Sequence, residues 1–176
     1  MAALIPWFER KFSFDFPVEI YPDVIERFRG APARVEERVR GVPREVLVRR
    51  EREGTWSIQE NVGHLLDLEA LWERRLEDFL AGKTDLAVAD LTNRATHEAG
   101  HNDREIGEIL AAFRERRMRQ VAVLEGLGAE EFRRVAVHPR LKQPMRLVDA
   151  VTFVCAHDDY HLARIGELLR LFGAAS

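Results

Sequence analysis

Two histidines, His157 and His161, stand four residues apart in the stretch Phe153-Val-Cys-Ala-His157-Asp-Asp-Tyr-His161-Leu-Ala-Arg164-Ile165. On a helix this spacing puts both imidazoles on one face, about 40° apart, where they can reach a single point. A third histidine, His64, lies in Trp56-Ser-Ile-Gln-Glu-Asn-Val-Gly-His64-Leu-Leu-Asp67-Leu-Glu69, on another predicted helix. Three neutral imidazoles with one open position form a catalytic-type site for zinc or a similar divalent ion. His157 and His161 also fall inside the apolar stripe of Ala150, Val154, Ile165 and Leu168, where burial without a partner is costly. The competing reading is a pair of core histidines satisfied by nearby hydroxyls or carboxylates.

Residues around these three suggest what else the site contains. Asn61 and Asp67 lie three residues either side of His64, so either can orient that ring or line the cavity; Asp67 is otherwise an exposed helix carboxylate. Arg164 falls within about 60° of both C-terminal histidines on the wheel, placing it to clamp a substrate carboxylate or phosphate, or else to bridge to a neighbouring helix. Tyr160 can donate to a developing oxyanion, or sit at the bundle rim. His97 and His101 repeat the four-residue spacing within a connection, where they border the pocket mouth as substrate contacts. His138, before Pro139, reads as a loop residue, and Cys155, about 160° from His157, as a buried small hydrophobe. Such a metal site either activates water, giving a hydrolase, or holds a thiol as thiolate, giving a transferase or isomerase. Glu60 is occupied in a helix cap, and Glu69 has no assignable role as a general base.

The positioning elements are helical. Residues 1–20 carry Trp7, Phe8, Phe12, Phe14 and Phe16 between Pro6 and Pro17, the pattern of an extended arm packed on the bundle or on a second subunit. A first helix follows Pro22 through Val24, Ile25, Phe28, Val35 and Val39, broken by Gly30 and Pro32. Ser57-Ile-Gln-Glu60 is a capping box that opens a second helix, with its apolar stripe through Val62, Leu65, Leu68, Trp72, Leu76 and Phe79 until Gly82. Residues 83–101 lack strong periodicity, and a connection of this length can return along the whole bundle. Asn102-Asp-Arg-Glu105 reads as the next N-cap, before a helix ending at Gly126. Residues 135–145 suggest a small hairpin or a loop, and a last helix spans about Leu147 to Leu171, ended by Gly173. Four helices with one long crossover make an all-α four-helix bundle, and bundle cores are where facing helices combine ligands.

At 176 residues the chain fits one domain, 1–176, that buries a core without staples. A single cysteine forms no internal bridge and agrees with a reducing, cytoplasmic setting. The N-terminal residues have no long apolar core, basic start or small-residue cleavage site, and no run reaches membrane-spanning length, so a soluble, unexported protein is expected. Net charge is -3 with mixed signs, which argues against nucleic acid and membrane partners. The arginine-rich runs Arg44–Arg52 and Arg114–Arg119 are interrupted by glutamates and read as solvated faces.

Trp56-Ser-Ile-Gln-Glu-x-x-x-His64, the Leu-x-Asp-x-Glu continuation and His157-Asp-Asp-Tyr-His161-Leu-Ala-Arg-Ile165 together resemble the DinB/YfiT-like superfamily over about Tyr21 to Phe172. The resemblance implies an up-down-down-up bundle with its long crossover between helices 2 and 3, usually a homodimer. It implies His64, His157 and His161 as ligands of zinc, nickel or a related ion. It also implies a small-molecule substrate: members with assigned activities include transferases and isomerases using low-molecular-weight thiols such as mycothiol or bacillithiol, and some are called hydrolases. The expectation is therefore a metal-dependent enzyme, thiol transfer slightly ahead of hydrolysis. The alternative is a non-catalytic stress-response or binding bundle with a structural or vestigial metal.

Overall fold

The structure is a computed structural model and describes residues 4–174. In chain order the helices are α1 (Tyr21–Arg29), α2 (Ala31–Val39), α3 (Arg44–Leu47), α4 (Ile58–Leu80), α5 (Arg94–Glu98), α6 (Ile106–Glu125) and α7 (Ala129–Phe132). An antiparallel hairpin of β1 (Val135–His138) and β2 (Gln143–Arg146) then leads into α8 (Leu147–Leu171). The four rods of the bundle are the broken α1–α2 pair, α4, α6 and α8.

Local chemistry sets the ends of the two helices that carry the histidines. At the start of α4 the Ser57 hydroxyl accepts from the Glu60 amide at 3.0 Å, while the Glu60 carboxylate accepts from the Ser57 amide at 2.8 Å. This is the expected capping box, which satisfies two otherwise orphaned donors. α4 and α8 both stop in a left-handed glycine, Gly82 at φ 68° and Gly173 at φ 71°. Beyond each glycine the next amide reaches back into the last turn, Lys83 to the Asp78 carbonyl at 2.9 Å and Ala174 to that of Leu169 at 2.8 Å. α1 and α2 part at Gly30, as expected.

α6 starts later than its sequence pattern suggested. Its N-cap is Glu105, not Asn102, because residues His101–Asp103 form a separate 3-10 turn. The Asn102 side chain has another partner: its Oδ1 accepts from the Ser57 hydroxyl at 2.7 Å, locking this turn onto the start of α4.

Contacts fix the directions of the rods. Gln59 donates to the Arg104 carbonyl at 2.8 Å and Glu69 meets Arg117, so α4 and α6 run the same way. Asn61 meets His161 and Trp72 meets His157, so α4 and α8 are antiparallel. Val24 lies against Cys155 and Arg27 against Asp159, so α1 follows α8. The connection over residues 81–105 therefore runs back along the bundle, pausing where Asp85 bridges to Val137 and where α5 forms.

The apolar interior has two parts. One gathers Phe28, Trp72, Leu76, Phe79, Leu147, Val151 and Phe153; the other gathers Val35, Ile58, Val62, Leu65, Ile109, Phe113, Ile165 and Leu168. Between them lies a polar layer containing the three histidines and a buried ion cluster. In that cluster Arg117 donates to Glu69 Oε1 at 2.6 Å, to Asp158 Oδ2 at 2.7 Å and to the Phe28 carbonyl at 3.0 Å, and Gln120 donates to Glu69 at 2.7 Å. Arg117 is 0% exposed, so this part of the Arg114–Arg119 run is not the solvated face its sequence suggested. Burial pushes both carboxyls up, Glu69 to about 7, against the pull of the shared guanidinium.

The described part of the N-terminal arm, from residue 4, packs on this chain's own bundle, while residues 1–3 lie outside the described residues. It is extended apart from 3-10 turns at Trp7–Glu9 and Val18–Ile20. Arg146 ties it down by donating to the carbonyls of Phe14 and Phe16 at 3.1 and 3.0 Å.

Candidate metal centre

The rings of His64, His157 and His161 meet between α4 and α8, with ligand-capable atoms all within 4.8 Å of one another. Each ring is at least 96% buried. Burial is the first cause that lowers their pKa values, His64 to about 4 and the other two well below the usual histidine value. All three are therefore neutral at ordinary pH and carry a lone pair, the form that binds a cation.

Hydrogen bonds select which nitrogen is free. Asn61 Nδ2 donates to the Ser57 carbonyl at 2.7 Å, which orients the amide so that Oδ1 faces His161 Nδ1 at 2.9 Å. His161 therefore carries its proton on Nδ1 and leaves Nε2 unprotonated. The Thr96 hydroxyl donates to Asp67 at 2.8 Å, so its oxygen is free to accept from His64 Nδ1 at 2.9 Å, again leaving Nε2 for a ligand. On the far side of Asp67, His101 Nε2 donates to the same carboxylate oxygen at 2.9 Å. The relay His64–Thr96–Asp67–His101 joins the start of α4 to α5 and the following turn. His157 differs: its Nδ1 is buried with no partner among the described residues.

The donor set fits a divalent cation. It contains three neutral imidazoles and no thiol, two of the tautomers are fixed, and the third ring has an unmet polar nitrogen that a dry wall leaves costly. Aromatic side chains enclose the cluster. Trp56 lies 4.6 Å from His64 and 6.2 Å from His161 between ring centres, Trp7 lies 4.8 Å from His157, edge on, and Trp72 6.0 Å from it. The histidines open into a cavity of about 560 Å³.

Several neighbours occupy places other than those their spacing suggested. Asn61 orients His161, not His64. Asp67 reaches His64 only through Thr96, a residue that sequence reasoning missed because it lies in the aperiodic crossover. His101 does not border the mouth; it is buried behind His64, against Gly63. His97 is exposed on the cavity rim, 5.7 Å from Trp56. Arg164 lines the cavity, but its guanidinium is held by Glu51 at 2.6 Å and Glu167 at 3.1 Å, so it is not free to clamp an anion. Tyr160 lines the cavity edge-on to His161 at 5.0 Å, under the guanidinium of Arg10. His138 is no loop residue: it ends β1, is buried, and sits 3.1 Å from Arg75. Cys155 is buried against the Val24 carbonyl, away from the cluster as expected.

A four-helix bundle with three buried histidines converging from its second and fourth rods defines a class of proteins built around a cation-competent core. The chain belongs to the DinB superfamily, whose family pattern matches residues 27–165. It is 27% identical over 150 residues, 85% of this chain and 84% of the relative, to a Bacillus subtilis protein named "Putative metal-dependent hydrolase YfiT". The solved structure of YfiT superposes with a TM-score of 0.80 at 26% identity, covering 94% of each chain, and is described as having an unusual four-helix bundle topology. A mycothiol-dependent maleylpyruvate isomerase shares the fold at 10% identity and a TM-score of 0.66, over 86% of this chain and 62% of that one. Among the described residues no helix is long and apolar enough to cross a membrane.

Proposed function

We propose that this protein is a metal-dependent hydrolase of a small organic molecule, with His64, His157 and His161 holding one divalent ion, zinc or nickel. The observation that carries this reading is the convergence of three buried, neutral imidazoles on the floor of an open cavity. When bound, such an ion supplies Lewis acidity, which activates water and polarises a carbonyl oxygen. The chain itself supplies the rest. Asn61 and the Thr96–Asp67 pair keep two rings in the ligating tautomer, as outer partners of metal-binding histidines do. Trp7, Trp56 and Trp72 exclude bulk water and give an organic substrate an apolar bed.

Hydrolysis now leads over the thiol transfer expected from the sequence. YfiT matches nearly end to end at 26% identity and is described as "a probable metal-dependent hydrolase", whereas the thiol-dependent isomerase shares the fold alone. The test is a zinc-loaded preparation assayed on a panel of esters and amides, beside a panel of thiols paired with an electrophile. Hydrolysis that disappears in His161→Ala supports the reading. Turnover confined to the thiol panel replaces it with a transferase, and silence in both favours a binding bundle.

A further inference from the structure

The same cavity has a second polar corner, separate from the histidines, where two guanidiniums stand with no carboxylate in salt-bridge contact among the described residues; Asp78, the carboxylate that acts on Arg75, is itself held by Lys83 and the Ala87 amide. Arg75, on α4, is 94% buried; its Nε donates to the Ala87 carbonyl at 3.0 Å and its Nη1 faces His138 Nε2 at 3.1 Å, and no carboxylate pairs with it among the described residues. Arg140, in the turn between β1 and β2, lies over the rings of Trp7, Phe8 and Phe153, with its Nη2 buried and without a partner among the described residues. Arg117 shows what this protein does with a buried guanidinium that serves structure: it is surrounded by two carboxylates. The sole carboxylate on the cavity wall among the described residues, Asp90, is turned to Thr92 and Arg94.

His138 shows the same deficit of acceptors. Its Nδ1 faces the Leu141 amide at 3.2 Å and its Nε2 faces Arg75, so donors point at both nitrogens. Burial, with Arg75 and Arg140 nearby, pushes His138 down to about 3, and a neutral imidazole has only one lone pair to offer. One side of the ring must therefore present N–H to N–H. An anionic oxygen beside Nε2 and Arg75 would accept from both and remove the conflict. Arg75 is likewise pushed down to about 10, first by burial and then by Arg140, with Asp78 opposing the shift.

We propose that Arg75, His138 and Arg140 form a binding site for an organic carboxylate, and that the substrates of the histidine centre are anions docked there. The second half rests on the hydrolase reading; the first does not. Trp72 joins the two sites on one side, touching both Arg75 and His157, and Phe153 on the other, one helical turn before His157. A ligand anchored by its carboxylate would cross this aromatic wall and present its far end to His157, which follows Phe153 by about one helical turn, roughly 6 Å of rise.

Calorimetric titration of the full chain with benzoate, benzamide and phenyl phosphate tests this. Benzoate should bind the zinc-loaded protein at least tenfold more tightly than benzamide or phenyl phosphate. Arg140→Gln should weaken benzoate at least tenfold, Arg140→Lys less, and His161→Ala by no more than threefold. Arg75→Lys, which keeps the charge, serves where Arg75→Gln does not fold. Benzamide matching benzoate, unchanged binding in Arg140→Gln, or loss in His161→Ala would overturn the site; tighter phenyl phosphate would overturn the carboxylate assignment. If benzoate binding follows Arg140 while no ester is hydrolysed, the enzymatic reading fails and the carboxylate site stands. If esters with a carboxylate tail are hydrolysed, their advantage over the methylated forms should vanish in Arg140→Gln.

Discussion

The ring of His101 lies against the backbone of Gly63, so closely that a Cβ on Gly63 would come within 2.2 Å of its Cγ. Glycine at this position lets a histidine from the crossover press onto the helix turn that carries His64, and that histidine holds Asp67. Gly63→Ala must displace a fully buried ring, so we expect a loss of about 1–3 kcal/mol in stability. Zinc affinity should fall with it, because Asp67 and Thr96 lose their backing. Urea unfolding and chelator competition check the two effects separately.

Thr96→Val keeps the shape and removes the hydroxyl between His64 and Asp67. Loss of an outer partner of this kind should weaken metal binding by about 10–100-fold. The fold should survive, since α5 is a short surface element with no other buried residue. Competition against a chromogenic chelator, with circular dichroism as the control, measures both. Unchanged affinity would show that Asp67 does not reach the centre through Thr96.

The buried cluster at Arg117 is a matter of stability. Arg117→Met strands Glu69 and Asp158 in the interior, and breaking such a pair costs about 3–5 kcal/mol. Combining it with Glu69→Gln and Asp158→Asn removes the stranded charges and should recover part of that loss. Denaturation midpoints of the single and triple variants give the comparison.

His138 makes stability depend on pH. Its folded pKa of about 3 lies below the ordinary 6.5, so the unfolded chain binds the proton first. Stability is then full above about 6.5 and falls as pH drops from 6.5 toward 3. His138→Asn should flatten the slope between pH 7.5 and 5.5 by up to one proton, about 1.4 kcal/mol per pH unit. Urea midpoints across that range, for wild type and variant, decide the point.

Much of the fold was legible because its signals are local. Ser57 and Glu60 announce α4 three residues apart, Gly30 and Gly173 mark breaks that the backbone obeys, and α8 runs from Leu147 to Leu171 as its periodicity predicted. The histidine grouping was visible because one turn of α8 fixes two of its members. What the sequence hid depends on partners far along the chain. Asn102 looks like an N-cap until Ser57, 45 residues earlier, takes its side chain. Arg117 looks solvated among its arginine neighbours, yet its position on α6 faces Glu69 and Asp158. Thr96 and Arg140 carry no periodic signature, and only the returning crossover brings Thr96 to His64 and only the hairpin brings Arg140 to the cavity; Arg75 lies on the periodic α4, but its neighbours there do not announce His138, 63 residues on.

The most direct test is an anomalous difference map at the zinc edge, from crystals of the zinc-loaded full chain. One peak should stand within about 2.0–2.1 Å of a ring nitrogen of each of His64, His157 and His161. A peak at His97 or elsewhere on the surface, or none at all while the three rings keep their positions, would contradict the account.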